Sequence, residues 1–436
     1  MEKRIYGLLG RKLGHSWSVP IHRALGCEDY RLIELEPESL EGFLRREDLG
    51  GLNVTIPYKR EVMKFCDALD PAAERIGSVN TLVRRAGKLY GYNTDIDGFL
   101  YMLRRASISL REKKVVVLGS GGASLTAQAI AQQEGAREIV VISRMGPDNY
   151  QNLPERHKDA QVLVNTTPVG MWPHMDGQPA DLRLLPAVTD VADVVYNPGR
   201  TNLLLQAETL DLEFRTRDGE IPPESLRENG VRRIRYTGGL PMLVSQAKRA
   251  EELFFDRVIP DREPESIVSQ LWQDQTNLVL AGMPGSGKTT VGKALAALSG
   301  KPFIDLDAEI VRRAGVPIPE IFARQGEEIF RNLESQVLAE VCGKSGQVIA
   351  TGGGAILRPE NRTAMRRTGR VYHLHRDVRQ LPTEGRPLSQ SGRLEEMERL
   401  RRPLYAAASD VLIENDASAE EAAVRIWRDF CENSGH

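Results

Sequence analysis

A glycine-rich loop that ends in lysine and threonine, residues 282–289, constrains the fold of this sequence more than any other feature. It fits G-x-x-x-x-G-K-[ST] and lies between an apolar run of strand length and an alanine-rich helical stretch, which is the context that this motif requires. Backbone N–H groups in such a loop can surround phosphate oxygens at the start of a helix. A strand–helix turn without a ligand is the alternative, and the lysine together with both flanks favours a phosphate site. The residues predicted to bind the nucleotide are Gly285, Ser286, Gly287, Lys288, Thr289 and Thr290, with Lys288 on the β- and γ-phosphates and Thr289 on Mg²⁺.

A second glycine turn, residues 119–124, follows the apolar run Val115–Leu118 and precedes another alanine-rich helical stretch. It fits the dinucleotide pattern only loosely, because Ser124 stands at the third glycine position, so a tight turn explains it nearly as well. The next strand ends in Ser143-Arg144, where an NAD site would need an acidic residue for the ribose. Since Arg144 can instead hold a 2′-phosphate, we predict NADP. The predicted cofactor residues here are Gly119, Ser120, Gly121, Gly122, Ala123, Ser124, Ser143 and Arg144.

Strand and helix patterns alternate along the chain, which predicts an α/β fold with mostly parallel sheets covered by helices. Expected strands include 4–9, 30–35, 51–56, 161–164 and 193–196, and a helix is expected from 37 to 46. The prolines and clustered acidic residues of 259–275 are typical of a linker. Because the two glycine loops differ in chemistry, the chain is expected to be a fusion of unlike domains and not an internal repeat.

Composition excludes several classes of protein. With 41% hydrophobic and 27% charged residues, the chain is neither disordered nor fibrous. Its 58 Lys and Arg against 60 Asp and Glu provide no basic field for nucleic acid. The four cysteines lie far apart without C-x-x-C spacing, as in reduced intracellular proteins. Neither a signal peptide nor a membrane-spanning run is evident, so we expect a cytoplasmic protein.

Small polar residues cluster in the first part of the chain, at strand ends and in turns. They occur in the stretches 15–18, 53–59, 78–81 and 93–95, and Lys59 follows one of the expected strands. Such residues can bind the hydroxyl groups of a polyol, although Asn, Ser, Thr and Asp are also common in turns and helix caps. His15 and His22 are expected to be structural.

Taken in order, these stretches resemble the shikimate dehydrogenase family across residues 1–258. The resemblance is carried by HSWS, NVTIPYK, IGSVNTLV, GYNTDIDGF, LGSGGAS, VNTTPVGM, VVYNPGRTNLL and GLPMLVSQA. It implies reduction of 3-dehydroshikimate by NADPH, with Lys59 and Asp95 as the catalytic pair and Gly239 and Met242 beside the nicotinamide. An ammonium group held by a carboxylate can protonate the oxygen that becomes anionic during hydride transfer. The residues that the resemblance assigns to the substrate are Ser16, Ser18, Asn53, Thr55, Asn80, Asp95, Tyr196 and Gln246.

The last part of the chain resembles the shikimate kinase family over roughly 160 residues. The matching stretches are GMPGSGKTT, FIDLD, GEEIFRNLE, TGGG, GRPL and RRPLY. The resemblance implies ATP-dependent phosphorylation of the shikimate 3-hydroxyl, with Asp307 taking the attacking hydroxyl and Asp305 and Thr289 serving Mg²⁺. Arg386 would come from a lid that differs from the family's pattern, and Arg379 is a further candidate there. The remaining residues assigned to shikimate are Arg331, Gly353, Gly354 and Arg401.

The sequence therefore predicts a bifunctional enzyme that makes shikimate and then phosphorylates it, with small molecules as its partners and a monomer or homodimer as its state. A quinate/shikimate dehydrogenase working in the catabolic direction and a pathway-sensing regulator without turnover are the alternatives. The predicted parts are a shikimate-binding lobe (1–98 with 239–258), a Rossmann-like NADP lobe (99–238), a linker (259–275) and a P-loop kinase domain (276–436).

Overall fold

The computed structural model describes residues 4–14, 16–217, 233–380 and 393–434. It divides into two compact units, Met1–Val268 and Ser269–His436. None of the helices in these described ranges is long and apolar enough to cross a membrane. All four cysteines, at positions 27, 66, 342 and 431, are free thiols.

The first unit begins with a six-stranded sheet. Its strands are β1 (Ile5–Gly10), β2 (Arg31–Glu34), β3 (Leu49–Val54), β4 (Ala68–Leu69), β5 (Thr81–Arg85) and β6 (Lys88–Tyr92). They lie in the order β2-β1-β3-β5-β6-β4, and β5 is antiparallel to both β3 and β6. The sheet is mixed because β5 and β6 form a tight hairpin, whose turn residues Ala86 and Gly87 both have positive φ angles.

Four helices and a 3₁₀ turn accompany this sheet: α1 (Ser18–Ala24), α2 (Pro37–Leu44), α3 (Pro71–Ile76), α4 (Asp95–Arg105) and the turn Glu61–Phe65. Apolar side chains of β1, β3 and α2, among them Leu9, Leu52 and Leu40, form a buried core on one face of the sheet. The expected β–α–β order of this region is present, and the element ends differ from expectation by at most two residues.

A second sheet follows, with all five strands parallel. The strands are β7 (Lys114–Leu118), β8 (Glu138–Ile142), β9 (Val162–Asn165), β10 (Asp190–Asp193) and β11 (Arg235–Thr237), and the helices are α5 (Gly122–Gln133), α6 (Leu153–Arg156) and α7 (Asn202–Arg217). Their order in the sheet is β11-β10-β9-β7-β8. The chain adds β8 on one side of β7 and then adds β9, β10 and β11 on the other side, so the strand order reverses between β7 and β9. Ligands of such sheets bind at that point, beyond the carboxyl ends of the strands.

The strand expected at 193–196 is wrong in position, since β10 covers Asp190–Asp193. The Asp193 carboxylate accepts a hydrogen bond from the Val195 amide at 3.0 Å, which turns the chain and ends the strand. A side-chain contact of this kind competes with the strand's own hydrogen bonds and is not visible in a run of apolar residues.

Helix α8 (Leu240–Phe255) returns from the second sheet and packs against α4. The approach is close at Gly98, where a Cβ atom would lie 2.5 Å from the Met242 carbonyl oxygen. The segment expected to be a linker contains α9 (Arg262–Gln275), and the boundary between the two units falls within this helix. In its first turns, Glu265 accepts hydrogen bonds from Tyr101 and Arg105 of α4.

The second unit is a five-stranded parallel sheet with helices on both faces. Its strands are β12 (Asn277–Ala281), β13 (Phe303–Asp305), β14 (Val348–Ala350), β15 (Gly369–His375) and β16 (Val411–Glu414), and its helices are α10 (Lys288–Ser299), α11 (Leu306–Ala314), α12 (Ile318–Gln325), α13 (Glu327–Cys342), α14 (Pro359–Thr368), α15 (Arg393–Ala408) and α16 (Ala419–Glu432). The strand order is β13-β14-β12-β15-β16, so the glycine-rich loop 282–287 leaves the central strand. Separate apolar cores cover the two faces of this sheet.

Candidate active sites

An ammonium–carboxylate pair lies where the first sheet meets α4. Lys59 stands in the turn that follows β3, and Asp95 is the first residue of α4. The Lys59 Nζ atom donates to Asp95 Oδ2 at 2.6 Å, and the side chains are 23% and 8% exposed. The nitrogen is thus held by a buried carboxylate while part of the lysine stays accessible to a ligand, an arrangement suited to proton transfer.

Asn80 fixes this carboxylate from the other side. Its Nδ2 atom donates to Asp95 Oδ1 at 2.9 Å and to Gln246 Oε1 at 3.0 Å, while its Oδ1 atom accepts from the Thr94 amide at 2.7 Å. Both oxygens of Asp95 are therefore engaged, and Gln246 brings α8 to the pair. The structure brings together four residues that the sequence separates widely.

Asn53 lies in β3 beside these residues and is buried. Its Oδ1 atom accepts from the Tyr30 hydroxyl at 2.8 Å, and its Nδ2 atom donates to Thr81 Oγ1 at 3.3 Å. Thr81 in turn donates to Asn80 Oδ1 at 3.1 Å. A chain of hydrogen bonds thus links Asn53 to the ammonium–carboxylate pair.

The serine loop before α1 forms a group of its own. Ser16 and Ser18 are joined through their hydroxyl groups at 3.0 Å, and Ser16 also accepts from the Ser18 amide. Trp17 between them contacts Tyr196, with ring centroids 5.0 Å apart. Burial raises the pKa of Tyr196, so its hydroxyl stays protonated at neutral pH. Thr55 follows β3, and its methyl group would lie 2.8 Å from a Cβ atom built on Gly10.

The glycine turn after β7 fits a dinucleotide. Gly119 has a φ angle of +105°, and a Cβ atom there would lie 2.9 Å from Thr166 Oγ1, so the turn requires glycine. At Gly121 a Cβ atom would meet nothing within 4 Å, and at Gly122 only the Ser78 hydroxyl at that limit. Helix α5 begins here without a side-chain cap, so its first amide groups have no capping side chain and are suited to a pyrophosphate.

The other predicted cofactor residues have different surroundings. Ser120 and Arg144 are exposed, Ala123 and Ser143 are half-buried, and Ser124 is buried. The Ser124 hydroxyl is fully buried and accepts from Gln128 within α5. Gly239 precedes α8 against the backbone of Val194, and Met242 lies in the apolar core with residues of α4.

In the second unit, the glycine-rich loop has the backbone that a phosphate cradle needs. Gly282, Gly285 and Gly287 all have positive φ angles, and α10 begins directly afterwards at Lys288. The Lys288 Nζ atom donates to the carbonyl oxygens of Gly282 and Met283 at 2.9 and 3.0 Å. The Ser286 hydroxyl is buried without a hydrogen-bond partner among the described residues, as expected of a group arranged for a ligand.

Two predicted magnesium residues meet beside this loop. The Thr289 hydroxyl donates to Asp305 Oδ2 at 2.8 Å, and Asp305 Oδ1 caps α11 by accepting from the Ala308 amide. Thr290 is exposed in the first turn of α10. Within the described ranges no cluster of three or more His, Cys, Asp or Glu side chains could hold a metal by itself. Hydroxyl and carboxylate oxygens suit Mg²⁺ together with nucleotide phosphates.

Asp307 and Arg331 approach the glycine loop 352–354 that follows β14. A Cβ atom at Gly352 would lie 2.8 Å from Asp307 Oδ1, and one at Gly353 would lie 2.7 Å from Pro284 of the phosphate loop. A Cβ atom at Gly354 would collide with the Arg331 guanidinium. The three glycines therefore allow a carboxylate, an arginine and the phosphate loop to come close together.

Charged partners hold this second site in place. The buried Arg331 donates to Glu334 at 2.8 Å and to Glu327 at 3.2 Å. Burial raises the pKa of Glu334, although Arg331 opposes this. Arg401 donates to the Gly353 carbonyl oxygen at 3.0 Å. Burial also lowers the pKa of the nearby His373 to about 4, so at neutral pH this ring adds no charge beside Lys288.

Of the two lid arginines, Arg386 lies outside the described residues, and its role stays a prediction. Arg379 is exposed and pairs with Asp377, whose pKa the arginine lowers to about 2.

Sequence reasoning missed Tyr30, Thr81, Thr94 and Glu334, and it also missed Glu251, which is joined to His22 at 2.5 Å in the first unit. The two glutamates carried a signal, because a charged residue on an apolar helix face needs a partner. Helical spacing places Glu251 on the same face of α8 as the buried Ala247 and Phe254, and it places Glu334 on the same face of α13 as the buried Phe330 and Val337.

Comparison with known families finds two matches. Residues 8–82 match the family model "Shikimate dehydrogenase substrate binding domain", and residues 284–431 match the model "Shikimate kinase". A "Shikimate dehydrogenase (NADP(+))" of Clostridium beijerinckii is 32% identical over 282 residues, which cover 61% of this chain and 96% of the relative.

Two solved structures resemble the same part of the chain. A chorismate mutase/shikimate 5-dehydrogenase fusion protein from Clostridium acetobutylicum is 33% identical, with a TM-score of 0.54, over 62% of this chain and 98% of that protein. Shikimate 5-dehydrogenase from Thermus thermophilus, in complex with NADP(H) and shikimate, is 28% identical, with a TM-score of 0.50, over 60% of this chain and 97% of that protein.

Proposed function

Because the chain belongs to the shikimate dehydrogenase family and also carries a shikimate kinase domain, we propose that it reduces 3-dehydroshikimate to shikimate and then phosphorylates this product. It is a bifunctional enzyme of the shikimate pathway that uses NADP(H), ATP and Mg²⁺. The direction of the first reaction, the residues of each site and the domain limits at 98, 238 and 275 belong to the proposal.

In the first reaction, Lys59 donates a proton to the carbonyl oxygen of the substrate, and in the reverse direction its neutral amine accepts that proton. NADPH supplies the hydride when it is bound. Asp95 holds the Lys59 nitrogen in place and stabilises its charge, while Asn80, which also donates to Gln246, keeps the carboxylate from rotating. Ser16, Ser18, Asn53 and Thr55 offer hydrogen bonds to the hydroxyl and carboxylate groups of the ring, and Tyr196 contacts Trp17 of the serine loop.

Two groups of residues would hold the nicotinamide cofactor. The turn from Gly119 to Ala123 and the uncapped start of α5 suit the pyrophosphate, and the exposed Arg144 suits a 2′-phosphate. Gly239 and Met242 would flank the nicotinamide.

In the second reaction, Asp307 accepts the proton of the attacking hydroxyl, while Arg331 and Arg401 orient the substrate through its carboxylate and ring oxygens. ATP with Mg²⁺ supplies the phosphoryl group when bound. Lys288 and the loop amides would hold its phosphates, with Thr289 and Asp305 on the metal.

The contact between Lys59 and Asp95, at 2.6 Å, is the observation that most directly supports catalysis in the first unit. A regulator that only senses shikimate would have no need of it, nor of Lys288 and Asp307 in the second unit. The attached kinase and Arg144 likewise favour the biosynthetic reaction over quinate catabolism.

Single substitutions can test the two activities in the same chain. We expect Lys59→Met to lower NADPH consumption with 3-dehydroshikimate by about 10²–10⁴-fold, since it removes the proton donor. We expect Lys288→Met to lower ADP release with shikimate by about 10²–10³-fold, since it removes a positive charge from the transferring phosphate. Each variant serves as the other's control. If either one abolished both activities, independent sites would be rejected.

The partners are small molecules. The nearly balanced charge supports the absence of a nucleic-acid partner, and the cytoplasmic location and a monomeric or dimeric state remain predictions. Sedimentation velocity of the purified chain would decide between monomer and dimer.

A further inference from the structure

A buried tyrosine of α15 contacts the glycine loop that follows β14. Tyr405 is 1% exposed, and its hydroxyl group donates to the Gly353 carbonyl oxygen at 2.8 Å. Burial raises the pKa of Tyr405 to about 12, so the hydroxyl stays protonated and remains a donor at neutral pH. Tyr405 has no part in the phosphoryl transfer described above, yet the loop that it contacts is predicted to bind shikimate.

The Gly353 carbonyl oxygen has a second donor, Arg401 Nη1, at 3.0 Å. Arg401 is itself predicted to bind shikimate, so its guanidinium group must serve the loop and the ligand together. The tyrosine ring is held independently of any ligand, because it stacks on His373 with centroids 4.6 Å apart and planes 13° apart. Tyr405 is thus the donor to this oxygen that does not also have to contact the substrate.

The peptide group between Gly353 and Gly354 connects this contact to the ligand. Because a trans peptide group is planar, the Gly353 carbonyl and the Gly354 N–H point in opposite directions. Two donors on the carbonyl oxygen therefore direct the N–H group away from those donors. The Gly354 N–H donates to no other backbone group within the described ranges. It is consequently available to an oxygen of a bound molecule.

Glycine on both sides makes the orientation of this peptide group easy to lose. A flip would carry the φ angle of Gly354 from −102° into the positive region, which glycine adopts far more readily than other residues. Larger residues cannot replace these glycines, because a Cβ atom at Gly353 would lie 2.7 Å from Pro284 and one at Gly354 would collide with Arg331. The loop therefore needs a contact from outside to keep its N–H group in one direction.

We propose that Tyr405 is a positioning residue of the second unit, which holds the Gly353–Gly354 peptide group so that the Gly354 N–H donates to a carboxylate or hydroxyl oxygen of shikimate. This inference rests on the proposed kinase function of that unit. Arg331 and Asp307 approach the same glycine loop. An oxygen bound at this N–H group would therefore lie near the residues proposed to orient the substrate and to accept its proton.

Tyr405→Phe in the full chain removes only the hydroxyl group and keeps the ring against His373. Measured by ADP release with NADP⁺ omitted, the KM for shikimate should rise about five- to tenfold, the equivalent of one hydrogen bond. The kcat and the KM for ATP should change less than about twofold, because Lys288 and Asp307 are untouched.

Two controls separate positioning from a general loss of stability. Tyr372→Phe removes another buried tyrosine hydroxyl, which donates to Asp429 at 2.8 Å, and it should leave the KM for shikimate within about twofold. Both substitutions remove one buried hydrogen bond, so an effect of destabilisation alone would appear in both. The first unit of the Tyr405→Phe chain is an internal control, since its KM for shikimate in NADP⁺ reduction should not change.

The possible failures are distinguishable. A wild-type chain that releases no ADP with shikimate rejects the proposed kinase function itself. An active wild type in which Tyr405→Phe leaves the KM for shikimate unchanged overturns the positioning role alone. An equal rise in Tyr372→Phe, or a fall in kcat without a rise in KM, overturns that role as well.

Discussion

At the scale of single residues, catalysis in the first unit depends on one carboxylate and the groups that hold it. Asp95 binds Lys59 through one oxygen and Asn80 through the other, and its own amide donates to Asn93 Oδ1. The carboxylate is buried, so its hydrogen bonds are not weakened by solvent as those of an exposed pair would be. The Asp95 carboxylate therefore holds the lysine nitrogen in one place. The neutral amide of an asparagine at position 95 would hold it less firmly.

We expect Asp95→Asn to lower kcat for shikimate oxidation by about 10²–10³-fold, since the neutral amide no longer stabilises the ammonium form of Lys59. The measurement is the steady-state rate with saturating NADP⁺ and shikimate. Asp97→Asn, in the same turn of α4 and without a contact to Lys59 among the described residues, should retain kcat within about twofold. Equal losses in both variants would contradict a specific role for Asp95.

At the scale of elements, the packing of α4 on α8 determines where Gln246 lies. Gly98 permits this packing, because a Cβ atom there would lie 2.5 Å from the Met242 carbonyl oxygen and 3.1 Å from the Gln246 Cβ atom. Backbone atoms cannot move aside as a flexible side chain can, so any larger residue must separate the helices.

We expect Gly98→Ala to destabilise the first unit by about 1–3 kcal/mol and to raise the KM for shikimate, because α8 and Gln246 shift together. Calorimetry of the unfolding transition that NADP⁺ shifts to higher temperature measures the loss of stability of the first unit. Steady-state kinetics measures the KM for shikimate. Gly42→Ala in α2 is the control, since a Cβ atom there meets nothing within 4 Å. That control should be stabilising by about 0.5–1 kcal/mol, as expected for alanine in a helix.

The ends of β9 and β10 depend on another buried carboxylate. Asp193 accepts from Asn165 at 2.9 Å, from Thr201 at 2.7 Å and from the Val195 amide at 3.0 Å. Burial nevertheless raises the pKa of Asp193 to about 6. The folded first unit thus binds this proton more tightly than the unfolded chain does.

The stability that Asp193 contributes should accordingly be complete below its ordinary pKa and should be lost as the pH rises through about 6. Compared with Asp193→Asn, the wild-type free energy of unfolding should fall by up to about 3 kcal/mol between about pH 4 and pH 7. Thermal unfolding of both proteins across this range, followed at the NADP⁺-sensitive transition, gives the difference. A difference that does not vary with pH would show that Asp193 remains ionised throughout.

At the scale of the whole molecule, the two compact units have separate sheets, cores and ligand loops, with two sheets in the first unit and one in the second. Each set of proposed catalytic residues lies within one unit. The product of the proposed first reaction is the substrate of the second. This relation does not by itself require that the intermediate passes directly from one site to the other.

We expect an equimolar mixture of the Lys59→Met and Lys288→Met chains to convert 3-dehydroshikimate to shikimate 3-phosphate with the same lag as wild type, when the active sites are matched in concentration. Each chain supplies the unit that the other lacks, and the intermediate diffuses between them. Coupled measurement of NADPH loss and ADP release follows both steps. A wild-type lag much shorter than that of the mixture would indicate transfer without release.

The sequence predicted the α/β class and both families, since their motifs are contiguous stretches whose spacing depends on local backbone geometry. The phosphate loop is the clearest example, because its glycines, Lys288 and the start of α10 follow directly from one another. The mixed first sheet and the true position of β10 were missed, because a tight hairpin and a side-chain hydrogen bond decided them.

The sequence by itself thus determined which chemical groups this protein carries and which loops present them. Only the tertiary structure decided how those groups are held. The contacts of Asn80 with Gln246, of Arg401 with Gly353 and of His22 with Glu251 join residues 166, 48 and 229 positions apart. Such contacts arise from the packing of whole helices against sheets, and no local pattern along the chain specifies which distant side chain will complete a hydrogen bond.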